Sequence, residues 1–518
     1  MKTVILSISA AVLSLIMQPA YAQNIAPVGA DAAAETAGEI QQLQSNAQKF
    51  PEPVPAEVAG SIEGPPILPQ LYSNGVDDSE GVVSDYNVNG QIATPSNDFF
   101  KSEGTNGRTC FTCHRPEDGM GLGQLGATNR FAANPTDPLF RLVDGASCPD
   151  DDVSTPAAQA QAYSGLTTSG LIRIPLPLQT SFQFEIVNVQ DTNGSDCNTN
   201  PITGVTGPQS GFANFYRRPI PTASLLFDSN IMWDAREPSL AHQAMDAELG
   251  HAQAVQASST PSLNAIVAFE TGMYSAQSSD NGIAGISVGA GGDLTGGDGS
   301  GATGGPIPIS QELASFSTGI NNPFGGSFNP AIYNIYNAFG NLTGTDTQTQ
   351  ERQAIFRGQQ IFNTKQFQIT GVAGLNDVQG QPSITGTCGT CHNSPNVANF
   401  TSNAMMDTGV TAVNAPNGAS SHLFLTGLPV FTVQCIAGPD AGQTFSVTDL
   451  GFAMTTGQCA DIGKTKVPVI RSIASRSPYF HNGSGQDITF LVKFYNARFN
   501  IGLTAQEQSD LETFLEAQ

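Results

Sequence analysis

Positive charge, histidine and tryptophan are all scarce in this chain. Its 518 residues hold 20 Lys+Arg against 44 Asp+Glu, a formal net charge of -24. Nucleic acid is therefore not an expected partner, because phosphate binding needs clustered Lys and Arg. The acidic surface suits a basic partner or a small neutral substrate, and serves solubility equally well. Past the N-terminus no run reaches 18 uninterrupted apolar residues, so no membrane span is expected in the mature chain. There is 1 Trp, with 6 His and 8 Cys. Where Cys and His are so rare, a spacing that uses both is seldom an accident.

Such a spacing occurs twice, as Cys110-Phe111-Thr112-Cys113-His114 and as Cys388-Gly389-Thr390-Cys391-His392. At this composition C-x-x-C-H arises by chance in roughly one of 700 such chains. Two thiols three apart can add to the two vinyl groups of one porphyrin, and the next residue then offers an imidazole to the iron. A redox dithiol or half a zinc site would explain a bare C-x-x-C, but not a histidine directly after both pairs. Two covalently bound c-type haems are the expected cofactors, with Cys110, Cys113, Cys388 and Cys391 as attachment points and His114 and His392 as iron ligands.

The ends and the composition divide the chain. Lys2, the apolar stretch Val4 to Met17 and Ala20-Tyr21-Ala22 read as an export signal over 1–22, with a mature chain from Gln23 in the periplasm or outside the cell. Residues 23–83 read as an extended leader, where Pro51, Pro53 and Pro55 stop a helix over Ala34 to Phe50. A first haem module is expected over 84–275 and a second over 346–518. Between them, 276–345 reads as a Gly-rich linker or insertion, since Gly289 to Pro306 has little to bury. A helix is expected from Glu351 to Phe362. Another is expected at the C-terminus, where Thr504 and Glu507 form a capping box and Leu511, Phe514 and Leu515 one apolar face. The fold class this implies is mainly α, two cytochrome-c-like haem modules with long irregular insertions. Four cysteines remain. In an exported chain an even count favours disulfides, and the natural split is Cys148–Cys197 and Cys435–Cys459, although three pairings are open.

Lys466 to Asn496 reads KVPVIRSIASRSPYFHNGSGQDITFLVKFYN, and Phe227 to Ala244 reads FDSNIMWDAREPSLAHQA. With the two C-x-x-C-H motifs these resemble the bacterial dihaem cytochrome c peroxidase family. That family includes the dihaem enzyme of methylamine utilisation, and is more distantly related to dihaem rubber oxygenases. Arg471, Pro478, Tyr479, Phe480, His481 and Gly483 match one family stretch; Trp233, Asp234, Arg236, Leu240, Gln243 and Ala244 match the other. The leader, the region from about 120 to 210 and the Gly-rich segment match poorly.

The resemblance implies roles. His114 becomes the proximal ligand of the haem that meets peroxide and His392 that of a relay haem. Trp233 stands between them as a bridge, against the alternative of a haem-packing core residue. Gln243 corresponds to a glutamine of the family's reactive pocket. The family's pocket acid falls on Gln253, which cannot shuttle a proton; Glu248 and His251 stand close by. His251 could be an acid–base group, a sixth ligand or an unrelated histidine. Fourteen residues after His481, where the peroxidases carry methionine and the methylamine enzyme tyrosine, stands Tyr495. Tyr495 is the candidate sixth ligand of the second iron, with Met454 and His422 as alternatives. His481 itself is expected to hydrogen-bond near a haem rather than to ligate iron. Calcium between the modules is uncertain, since Arg218 stands near the place of the family's asparagine. Arg217 and Arg218 could instead meet haem propionates, or lie on the surface.

Three functions follow. The first is peroxide reduction with electrons from a small redox protein, relayed from the second haem to the first. The second is a dihaem electron-transfer cytochrome without substrate chemistry. The third is a dihaem oxidase or oxygenase acting on an organic substrate.

Overall fold

The computed structural model describes residues 76–77, 81–87, 96–191, 197, 210–280, 291–305 and 329–518. The expected export signal and most of the expected leader lie outside the described residues. The described residues are 34% helical and 17% strand, so the mainly α expectation is corrected. Two of the strand pairings, Gly81–Asn87 with Met273–Asp280 and Phe184–Gln190 with Val430–Cys435, span long sequence distances that local periodicity does not see. The strand patterns are also short: Phe184-Glu-Ile-Val-Asn-Val-Gln alternates, but sits in a region with no other regular signal.

Eleven strands are described, in chain order β1 (Val76–Asp77), β2 (Gly81–Asn87), β3 (Ile172–Pro177), β4 (Phe184–Gln190), β5 (Phe212–Arg217), β6 (Met273–Asp280), β7 (Gly292–Asp293), β8 (Phe367–Thr370), β9 (Ser383–Gly386), β10 (Val430–Cys435) and β11 (Thr444–Val447). They form sheets β1-β2-β6-β7, β3-β5, β8-β9 and β11-β10-β4, and every pairing is antiparallel. The last sheet joins the two halves of the sequence: Phe431 of β10 faces Val189 of β4, and Cys435 faces Phe184. Its inner face carries Phe184, Ile186, Phe431 and Val433, which pack with Phe215 of β5. Burying such side chains stabilises by about 1.5–3 kcal/mol each.

The helices gather around the second motif. Thr347–Thr364, Ile488–Arg498 and Ala505–Glu516 surround a core of Tyr333, Tyr336, Phe362 and Phe514. The Thr504–Glu507 capping box forms as expected. Leu294 and Ala302, within the Gly-rich stretch expected to bury little, are 0% and 4% exposed and belong to this core. Both expected disulfides are present, Cys148–Cys197 and Cys435–Cys459, each tying a loop to a neighbouring strand or turn. No helix among the described residues is long and apolar enough to cross a membrane.

Candidate functional site

Each C-x-x-C pair occupies one helical turn, Cys110–Cys113 and Cys388–Cys391. A threonine before the turn and another inside it explain why so short a helix holds. The Thr112 hydroxyl accepts the Thr109 N–H at 2.9 Å, and the Thr390 hydroxyl accepts the Thr387 N–H at 3.0 Å. The histidine N–H then closes on the first cysteine's carbonyl, at 3.0 Å in both copies. Each ring is oriented by a carbonyl six residues on: His114 Nδ1 lies 3.1 Å from Met120 O, and His392 Nδ1 2.7 Å from Ala398 O. A carbonyl can only accept, so Nδ1 carries the proton and Nε2 keeps its lone pair. The acceptor residues have left-handed backbones, φ 61° at Met120 and 58° at Ala398. Neither is glycine, and that conformation costs about 1–2 kcal/mol. Burial pushes both imidazoles down to about 4, so they are neutral.

The first motif opens on a cavity of about 370 Å³ whose lining is rich in ionisable groups. Gln243 and Glu248 reach it from the helix Leu240–Gly250, and His251 from that helix's end. His251 Nδ1 lies 2.6 Å from Asp144, whose carboxylate is also paired with Arg108. Burial raises Asp144, but Arg108 and His251 outweigh it and leave it at about 2. The carboxylate therefore accepts from His251 Nδ1 and leaves Nε2 free. Glu248 accepts the Ser258 N–H at 2.8 Å with one oxygen; its other oxygen is buried without a hydrogen bond, and burial raises the carboxyl. Glu270, which the sequence reading missed, also lines this cavity from the helix Thr260–Gly272. Its Oε2 has no partner and burial pushes it up to about 8. The signal that could have found it is an acid directly after the apolar run Ile266-Val267-Ala268-Phe269.

The second motif opens on a cavity of about 200 Å³ walled mainly by apolar side chains, among them Phe362, Ile369, Val410 and Leu491. Tyr495 lines it, and burial raises its phenol. Of the other candidate ligands, Met454 is packed in the sheet core with Phe184 and Phe431, and His422 ends a short turn of helix; neither lines the cavity. Met406 does, a methionine that sequence spacing gave no reason to single out.

Trp233 lines both cavities, as do Arg218, Pro219, Pro221 and Lys466. The indole is 9% exposed and donates from Nε1 to the Arg218 carbonyl at 2.8 Å. Its ring centroid lies 6.0 Å from that of His481, itself buried and held down to about 4 by burial. Behind the indole lies an ion-pair network. Arg217 Nε and Nη2 meet Asp449 at 2.7 and 2.9 Å, and Nη1 meets Asp234 at 2.5 Å, where Arg236 also binds. Arg217 lines the first cavity but is already neutralised by two carboxylates, which removes the reason to give it a propionate. Arg218 has no carboxylate partner among the described residues; its Nη2 donates to Leu122 O and its Nε is buried without a partner.

These features fit a c-type haem in each half. The four motif thiols are outside the disulfides, each histidine presents a neutral Nε2, and a cavity adjoins each motif. No protein-family model matches the chain. An 87-residue stretch is 36% identical to the cytochrome-c peroxidase IdrP1 of Denitromonas iodatirespirans, covering 15% of this chain and 23% of that protein. The chain thus spans under a quarter of the length of the curated relative it matches. A solved MauG-like protein associated with microbial copper homeostasis aligns over 60% of this chain and 77% of its own, at 16% identity and a TM-score of 0.30. Weak sequence similarity to a cytochrome-c peroxidase, together with the paired motifs, is what these comparisons add.

Proposed function

We propose that the chain is an exported dihaem c-type oxidoreductase that reduces hydrogen peroxide in the first cavity, with electrons entering through the second. The observation that carries this reading is the position of Trp233, on a wall common to both cavities. A porphyrin iron attached at each motif supplies one-electron redox chemistry when bound. Cys110 and Cys113 would hold one group with His114 as ligand, and Cys388 and Cys391 the other with His392. Tyr495 or Met406 would complete the second site.

Turning one peroxide into two waters consumes two electrons and two protons. The proton work falls to the first cavity. His251, oriented by Asp144, can take a proton at Nε2 from one peroxide oxygen and return it to the other. Glu270, protonated at neutral pH, is a donor, and Gln243 a neutral hydrogen-bonding group. The second cavity has no Asp or Glu on its wall, and its one histidine besides His392 is the buried His481. That asymmetry favours chemistry in the first half and electron storage in the second.

A second reading rests on the same His251. If its free Nε2 ligates the first iron, the site is closed and the protein is an electron-transfer cytochrome. Low-spin spectra for both irons that do not respond to peroxide would establish that reading. The peroxidase reading is tested on Trp233→Phe. Both haems should remain attached, while inter-haem transfer and peroxide turnover slow together. Equal transfer rates in the two proteins would take Trp233 out of the path.

A further inference from the structure

Two arginines on the wall of the second cavity have no anion. Arg218 and Arg476 are 9% and 8% exposed, in a chain with only 20 Lys+Arg. Arg476 donates from Nε to the Ser472 carbonyl at 3.0 Å and from Nη2 to the Arg471 and Val469 carbonyls at 2.8 and 3.0 Å. Its Nη1 meets no group among the described residues, and the side chain lines the cavity. Arg218 lines the same cavity, close enough to Arg476 for each charge to oppose the other. The carboxyl nearest in effect to Arg218 is Asp118, which burial pushes up to about 7, so it offers little compensating charge. Other buried arginines have a carboxylate, as Arg108 and Arg217 do, or, like Arg173, Arg471 and Arg498, spend their donors inside packed protein away from this cavity; Arg218 and Arg476 both line it. Two buried guanidinium groups facing one cavity are costly unless an anion joins them. A guanidinium fork matches a carboxylate best.

We propose that Arg218 and Arg476 form a carboxylate-binding pair, whose ligand is the carboxylate edge of the porphyrin attached at Cys388 and Cys391. This rests on the dihaem reading above. Arg218 lies on the wall shared with the first cavity, as Trp233 does. The pair places positive charge beside the carboxylates of the second group, which favours its reduced state.

Spectropotentiometry of the loaded protein tests this. Arg476→Gln and Arg218→Gln should each lower the midpoint potential of the second haem, with two haem masses retained. Arg476→Lys keeps the charge but loses the fork, and should stay near the wild-type potential. Unchanged potentials in both Gln variants overturn the proposal. So does a Lys variant that shifts as far as Gln, because the effect would then be one of packing. Acetate added to the wild type separates the two sources of carboxylate. No response supports the porphyrin edge. A saturable shift that Arg218→Gln abolishes assigns the pair to a free anion instead and overturns it. A wild-type protein that carries no second haem would remove the dihaem reading itself, a failure visible in intact mass before any potential is measured.

Discussion

Two stretches of this chain, one before residue 120 and one before residue 400, are built almost identically. In both, Thr-Cys-x-Thr-Cys-His makes one capped turn, and in both the histidine is tied to a left-handed residue six positions on. Beyond that turn the likeness stops. The first motif faces Gln243, Glu248, His251 and Glu270; the second faces phenylalanine, isoleucine, valine and leucine around Tyr495 and Met406, with basic groups but no carboxylate on its wall. On the dihaem reading, the motif governs how the prosthetic group would be attached. The surroundings settle whether protons can be moved beside it. Two copies of one hairpin can therefore serve different steps of one reaction.

The harshest way to break this comparison is to remove one attachment site at a time. Cys110→Ala with Cys113→Ala should cost one haem mass and abolish peroxide turnover, yet leave the second site reducible. Cys388→Ala with Cys391→Ala should also cost one haem mass, while peroxide still perturbs the first site's spectrum. If peroxide responds only to loss of the second pair, the roles are reversed.

A smaller effect is expected from His251→Ala. Loss of a group that moves the peroxide proton should slow cleavage by about 10²–10⁴-fold. Tyr495→Phe, in the other cavity, should leave cleavage untouched and move only the second potential. Stopped-flow mixing with peroxide reads both. Equal slowing by the two substitutions would erase the division of labour.

Glu270 sharpens the contrast through stability. Its carboxyl is lifted from 4.5 to about 8 by burial, so the folded state holds a proton there that the unfolded state releases. Stability from this group is complete below about pH 4.5 and lost as pH rises toward 8. Glu270→Gln should flatten that decline, so the variant gains on the wild type at pH 8 relative to pH 5 in denaturant midpoints. Parallel curves would show that Glu270 is hydrated rather than buried.

The smallest effect tests the likeness itself. Thr112→Ala and Thr390→Ala each remove the hydroxyl that accepts the N–H of the residue before the turn, and should each destabilise by about 1 kcal/mol. A marked inequality between them would mean that the two hairpins are less alike than their hydrogen bonds.

What the sequence disclosed follows the range of the interactions concerned. The motif turns, the capping box at Thr504, the disulfide partners and the two helices of the second half depend on neighbours within a few turns or on scarce residue types, and were legible. The strands were not, because β4 and β10 gain their meaning from each other. Arg217 shows the same limit: nothing near Tyr216-Arg217-Arg218 announces that Asp234 and Asp449 will take up its charge while Arg218 stays unpaired. Glu270 was missed because only the packing of two helices brings it to the cavity of a motif 160 positions earlier.

The sheet that crosses the halves also sets a timetable. Val430 of β10 pairs with Gln190 of β4, and roughly 240 residues separate them. Closing a loop of that length carries an entropy term of about 5 kcal/mol, met only when the whole strand pair and its phenylalanine face form together. During synthesis β4 has no partner until the last part of the chain has emerged. The first half cannot complete itself early and wait.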